Sequence, residues 1–305
     1  MTFRLPSFNP SRRLPHVVAA VFAGLAVSAQ AQNLVGLTTT NALLTFGSGT
    51  PANGSSLATI TGLQSFNERI LSIDLRPTTG LLYGVSSDSK VYSLTLGGAA
   101  TFVSALSSPL GSGVIGLDFN PVADLAGMAS LRIVSSTGQN VAYNVATGAT
   151  TVATPIQTGL ASVAYSNNDL DPATATSLYY IDTTSDTLRV ATGAFNAPVI
   201  TTVGALGLNA TGVSGFDIFG FGNSAFAAMT DSDTGKSGLY SLNLATGAAS
   251  FVGDFGIGGN TAIAPPLLGL TAAAVTPVPE PETYALMLAG LAALGGVARR
   301  RRAAR

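Results

Sequence analysis

Three aspartates stand at matching places in the chain: Asp74 in "SID", Asp118 in "GLD" and Asp217 in "GFD". Each follows a small residue and an apolar one. A fold that sets these segments around one axis brings the carboxylates together, and such a ring binds a hard cation or a sugar. Paired carboxylates also carry out glycoside hydrolysis. A plainer use is open to the same residues: each aspartate accepts backbone N–H bonds in the turn before Pro77, Pro121 or Gly220. Recurrence in step with a repeat favours the plainer use, because a site usually breaks symmetry and a scaffold residue keeps it. Asp231-Ser232-Asp233-Thr234-Gly235 is a second candidate. It begins like a calcium loop, with oxygen ligands at alternate positions and a turn glycine. The rest of that loop is missing, since Leu242 stands at the twelfth place. A hairpin turn between "AFAAMT" and "GLYSLNL" accounts for Asp231 and Asp233 equally. Asn167, Asn168, Asp169 and Asp171 form another oxygen-rich loop. Tyr179 and Tyr180 offer faces for a sugar, but neighbours on a strand point to opposite sides.

What is absent limits the chemistry further. The sequence has no cysteine, and its one histidine is His16. His16 lies in a segment that reads as a secretory signal. Arg4, Arg12 and Arg13 form a basic start, Val17 to Val27 an uncharged apolar stretch, and Ala29-Gln30-Ala31 a small-residue cleavage site, with the cut between Ala31 and Gln32. Without that segment neither a His-based triad nor an ordinary zinc site can be built. Acid–base work falls to carboxylates, tyrosines and two lysines, and any metal to oxygen ligands. No cofactor is expected; Ca²⁺ is the ion that the oxygen-rich loops suggest. Gly111-Ser112-Gly113 and the glycines from Gly253 to Gly259 precede no Lys-Ser/Thr helix start, so phosphate cradling is not supported.

The elements that must position these residues repeat. "VATGAT", "VATGAF" and "LATGAA" follow alternating segments, as in Tyr240, Leu242 and Leu244, which share one strand face. Thr-Gly then supplies the positive φ of a tight hairpin. Upstream apolar strands start at Leu34, Leu82, Leu131, Leu178 and Ala225, at spacings of 47 to 49 residues. Downstream come "SID", "GLD", "SVA", "GFD" and "GLT". Four strands in about 48 residues, five times over, is the pattern of an all-β, five-bladed propeller. The small residues place the "GLD" type of strand innermost.

The C-terminal segment is of another kind. Pro277, Val278, Pro279, Glu280, Pro281 and Glu282 favour an extended stretch. Thr283 to Ala298 is uncharged and reads as a short transmembrane helix, about 24 Å long at ~1.5 Å per residue. Arg299, Arg300, Arg301 and Arg302 follow and would stay on the cytoplasmic side. Three parts result: a signal peptide over 1–31, a propeller-like ectodomain over 32–276, and a sorting and anchor segment over 277–305. The ectodomain holds thirteen acidic and six basic residues, a net charge of −7 against −1 for the whole chain. That balance argues against nucleic acid as a partner.

The order Val278-Pro279-Glu280-Pro281-Glu282, apolar helix, arginine cluster resembles the PEP-CTERM sorting signal. The resemblance implies recognition by exosortase, a membrane protease or transpeptidase of Gram-negative bacteria. It further implies processing near the Pro-Glu-Pro from an inner-membrane intermediate, and delivery to the cell surface or exterior, in the company of exopolysaccharide and biofilm matrix. The stretch from "NLVGLTTTNALLTF" to "PLLGLTAAA", with "IDLRP" and "YSLNLATGAASFVG", resembles an uncharacterised family of exported bacterial repeat domains. That family brings no catalytic residues. The expectation is a non-catalytic surface or matrix protein, a scaffold or binding module for exopolysaccharide or surface proteins. The alternative is a carboxylate- or Ca²⁺-dependent enzyme acting on glycans or lactones.

Overall fold

Alternating segments such as Val91-Tyr92-Ser93-Leu94 bury one face and pair edge to edge, and the chain does this four strands at a time. The structure is a computed structural model; it describes residues 32–272 apart from 170 and 221. Four consecutive sets of antiparallel strands form four sheets. Blade 2 runs Ile70–Leu75, Leu82–Ser86, Lys90–Leu94 and Ala100–Ala105. Blade 3 runs Ile115–Phe119, Ser130–Ser135, Asn140–Asn144 and Thr150–Val152. Blade 4 runs Leu160–Tyr165, Leu178–Asp182, Thr187–Ala191 and Thr201–Ala205. Blade 5 runs Ala210–Phe219, Ser224–Asp231, Ser237–Leu242 and Ala249–Asp254.

Blade 1 is composite. Asn33–Thr38, Ala42–Gly47 and Ala58–Thr59 are its outer strands, and Leu267–Ala272, from the far end of the described chain, is its inner strand. Leu270 sits opposite Gly36 and Ala272 opposite Leu34. The inner strands of blades 1 to 5 each pack on the next, and that of blade 5 on that of blade 1. The wheel therefore closes, and the ring has no open sheet face to protect. This is the five-bladed propeller expected from the repeat.

Helix is scarce among the described residues: Pro121–Leu125, capped by Asn120 Oδ1 accepting from Ala123 N, and one 3₁₀ turn at Pro51–Asn53. No described helix is long and apolar enough to cross a membrane. The signal segment to residue 31, the apolar stretch 283–298, and the sorting residues Val278 to Glu282 and Arg299 to Arg302 lie outside the described residues. Gln32 lies within them, and its N–H donates to Ser48 Oγ at 3.0 Å.

The core is divided among the seams. Five apolar clusters lie one between each neighbouring pair of blades. Among the described residues the seam between blades 3 and 4, built on Val163, Tyr165 and Tyr180, is the thinnest, with seven buried apolar residues against nine to thirteen elsewhere. At the hub the inner strands approach closely. A Cβ on Gly215 would stand 2.5 Å from Gly269 C and Leu270 N, and one on Gly116 3.0 Å from Val163 N. The first contact is sterically prohibited and the second is tight enough to push the neighbouring strand away, which is why "GLD" and "GFD" begin with glycine. The hub at Ser72, Gly116, Ser162 and Gly215 has no room for a water molecule. The Thr-Gly turns behave as the sequence suggests, with φ +75° at Gly148 and +82° at Gly247.

Candidate functional site

The five inner strands contribute one residue each to a ring, in the order Thr271, Asp74, Asp118, Ala164 and Asp217. Asp74, Asp118 and Asp217 converge, each bringing a carboxylate oxygen within 4.8 Å of the others, and all are at most 2% exposed. The ring residue of one blade accepts a hydrogen bond from the next blade's backbone. Phe119 N donates to Asp74 Oδ2 at 2.7 Å, Tyr165 N to Asp118 Oδ1 at 3.1 Å, and Ala272 N to Asp217 Oδ2 at 2.6 Å. Thr271 Oγ1 accepts from Leu75 N at 3.2 Å and donates to Asp74 Oδ1 at 2.8 Å.

Each of these donors lies on the neighbouring inner strand, not in the aspartate's own turn before Pro77, Pro121 or Gly220. The aspartates are thus latches between blades. Ala164 has no acceptor to offer blade 5. That seam is bridged one layer away, where Ser162 Oγ donates to Ser214 O at 2.8 Å and lies 2.7 Å from Ser214 Oγ.

Burial and mutual repulsion disfavour three negative charges here. Burial pushes the Asp74 carboxyl well above the usual carboxylate range, with the Asp217 charge adding to it. Burial does the same to Asp118, with Asp74 and Asp217 contributing. Burial raises Asp217 to about 6. Protons shared within the ring, or a hard cation held by its three oxygens, would relieve the repulsion. The ring offers no water-filled approach for a substrate through the small-residue layer.

The other sequence candidates are placed as follows. Asp231 Oδ1 accepts from Asp233 N at 3.0 Å and Oδ2 from Thr234 Oγ1 at 3.0 Å. Asp233 Oδ2 accepts from Asn209 Nδ2 at 2.8 Å. Both carboxylates are engaged in and around the hairpin turn. Asn167 and Asn223 bond reciprocally across the seam between blades 4 and 5, at 2.6 Å in each direction. Tyr180 is buried while Tyr179 is half-buried, on the opposite face.

Arg132 is a further residue of interest, with no motif in the sequence to mark it. It lies opposite Asp118 in the register of blade 3 and is 4% exposed. It lines a cleft of about 590 Å³ on the seam with blade 4, together with Asn120, Ser130, Thr151, Phe195 and Asn196. A signal was present. The residues opposite the other four ring positions are Val35, Tyr83, Tyr179 and Phe226. Arg132 alone is charged, so it breaks the symmetry that the aspartates keep.

Residues 42–264 match the model of a family described as a domain of unknown function, DUF4394. Residues 277–302 match the PEP-CTERM protein-sorting motif. No curated protein matches the chain in sequence. A solved structure, a structural genomics protein of unknown function from Bacteroides thetaiotaomicron VPI-5482, is similar at 15% identity with a TM-score of 0.47. The similarity covers 80% of this chain and spans 65% of the other.

Proposed function

The chain belongs to the DUF4394 family, and from that membership and the sorting motif we propose that it is a non-catalytic binding or scaffold module of the cell surface. The PEP-CTERM motif implies export to the surface through exosortase, a membrane enzyme. The finer reading is that the wheel, spanning roughly residues 32–276 once a leader and a sorting segment are removed, engages exopolysaccharide or surface proteins by its loops and seams.

One observation carries this reading. The acids that the repeat brings together are buried and spent as blade-to-blade latches, and the small-residue layer beside them has no room for water. A general acid and a nucleophile or base need access to a substrate bond. Without histidine or cysteine after residue 31, few groups remain to replace them.

The test is a panel of glycans and lactones incubated with purified protein, beside a binding isotherm on isolated matrix polysaccharide. Saturable binding with no turnover is the expected outcome. Turnover that disappears in Asp118→Asn would overturn the reading in favour of a carboxylate-dependent enzyme.

A further inference from the structure

Arg132 is a buried guanidinium with neutral company. Its Nε, Nη1 and Nη2 donate to Tyr165 Oη at 3.4 Å, Asn140 Oδ1 at 2.8 Å and Asn196 Oδ1 at 3.0 Å. It forms none of the ion pairs found among the described residues. Asp118, its cross-strand partner, bonds to Tyr165 N instead. An ionised side chain removed from water without an opposite charge is costly to keep. Three of its five N–H donors are used, which leaves one on Nη1 and one on Nη2 for a further acceptor such as a carboxylate.

The repeat shows how room was made beside it. Ala142 faces Arg132 from the next strand. The corresponding residues of the other blades are Thr45, Ser93, Val190 and Ser241, so blade 3 has the smallest side chain at this place. The related cleft between blades 4 and 5 has Tyr179 where this one has Arg132, and no charged residue lines it. Around Arg132 stand the amide of Asn120, the hydroxyls of Ser130 and Thr151, and the half-buried ring of Phe195.

We propose that the cleft between blades 3 and 4 binds a sugar acid, with its carboxylate on Arg132, its hydroxyls on Asn120, Ser130 and Thr151, and its C–H face against Phe195. The proposal rests on the reading of the chain as a binding module and goes beyond it by naming the ligand class and the residues. The net charge of −7 over residues 32–276 opposes a dense polyanion. The ligand therefore carries isolated carboxylates among neutral sugars.

Titration of the purified protein with sodium glucuronate, glucose and acetate, followed by calorimetry, tests this. Glucuronate binds saturably, and glucose and acetate each bind about tenfold more weakly or worse. Arg132→Gln loses about tenfold or more in glucuronate affinity. Because Arg132 also ties blade 3 to blade 4, a second variant keeps it in place: Ala142→Glu supplies a carboxylate from the facing strand. That variant loses glucuronate binding and melts higher than the unaltered protein. Glucuronate bound no better than glucose, or bound undiminished by Ala142→Glu, overturns the site. Matrix polysaccharide bound equally by the unaltered protein and Ala142→Glu also overturns it, while leaving the binding-module reading intact. Turnover of a glycan overturns that broader reading instead.

Discussion

Asp217 accepts one backbone N–H, from Ala272, and leaves Oδ1 without a partner among the described residues while only 1% exposed. Its carboxyl is raised from an ordinary 3.8 to about 6, chiefly by burial. Such a group holds more protons folded than unfolded between the two values. Its contribution to stability is full below the unfolded value and is lost as pH rises through the folded one. For Asp217 alone the loss from about pH 4 to pH 7 is on the order of 3 kcal/mol. Asp74 and Asp118 shift in the same direction. Urea unfolding in EDTA should therefore give a lower midpoint at pH 8 than at pH 5. Asp118→Asn keeps an acceptor for Tyr165 N and removes one charge. It should shrink the difference between the two pH values by on the order of 1 kcal/mol or more. Stability that climbs from pH 5 to pH 8 would contradict shared protons in the ring, and a pH dependence erased by added Ca²⁺ would assign the ring to a cation. The sequence made the recurrence of these aspartates plain, but not the identity of their donors. A donor on another blade, 45 to 55 residues away for Phe119, Tyr165 and Ala272, leaves no local pattern, whereas a turn before proline does. Arg132 is hard to find in the sequence for the opposite reason. It recurs nowhere, and only an alignment of the repeats by strand register reveals the substitution of a charge for Val35, Tyr83, Tyr179 and Phe226.

At the scale of strands, the period-two alternation and the Thr-Gly turns were sufficient, because each hairpin satisfies its own backbone within a short span. The closeness of the inner strands was legible only as a run of small residues, and its consequence is sharper than that pattern suggests. Gly215 has no room for a methyl group, since the obstacle is the backbone of Gly269 and Leu270. Gly222 has no neighbour within 4 Å of its built Cβ and no positive φ. Gly215→Ala should cost about 2 to 3 kcal/mol through forced separation of blades 5 and 1, while Gly222→Ala stays within about 0.5 kcal/mol. Thermal melts of the two variants side by side check this. Equal melting temperatures would mean that the hub yields without cost. Helix Pro121–Leu125 leaves little trace in the sequence beyond Asn120 and Pro121, a cap and first-turn pair. A five-residue helix is too short for its apolar period to register, and Asp124 holds it by accepting from Arg76 Nε at 2.7 Å and Thr78 Oγ1 at 2.7 Å in the loop of blade 2. The same helix belongs to the blade whose cleft contains Arg132 and Asn120, so a departure from the repeat and a departure from symmetry fall together.

Closure of the whole wheel depends on one strand. Leu267–Ala272 completes blade 1, buries Leu267 and Leu270 against Leu34, Phe46 and Phe255, and contributes Thr271 and the Ala272 N–H to the ring. Neither expected cut removes any of it. The Pro-Glu-Pro at residues 279–281 lies beyond Ala272, and cleavage after Ala31 leaves Gln32 to bond with Ser48. Processing by exosortase can thus free or transfer the wheel without opening it. A chain of residues 32–276 should unfold in one cooperative transition. One ending at 266 should lose that transition or melt far lower. Removing Leu267 and Leu270 alone forfeits about 2 to 5 kcal/mol each, against a total of about 5 to 15 kcal/mol for an ordinary domain. It also breaks the latches from Asp74 and Asp217 and exposes an unpaired edge on Asn33–Thr38. Melting of the two chains by circular dichroism decides the point. Matching transitions would mean that four blades stand without the fifth being closed, and the carboxylate ring would then have no fixed geometry from which to act.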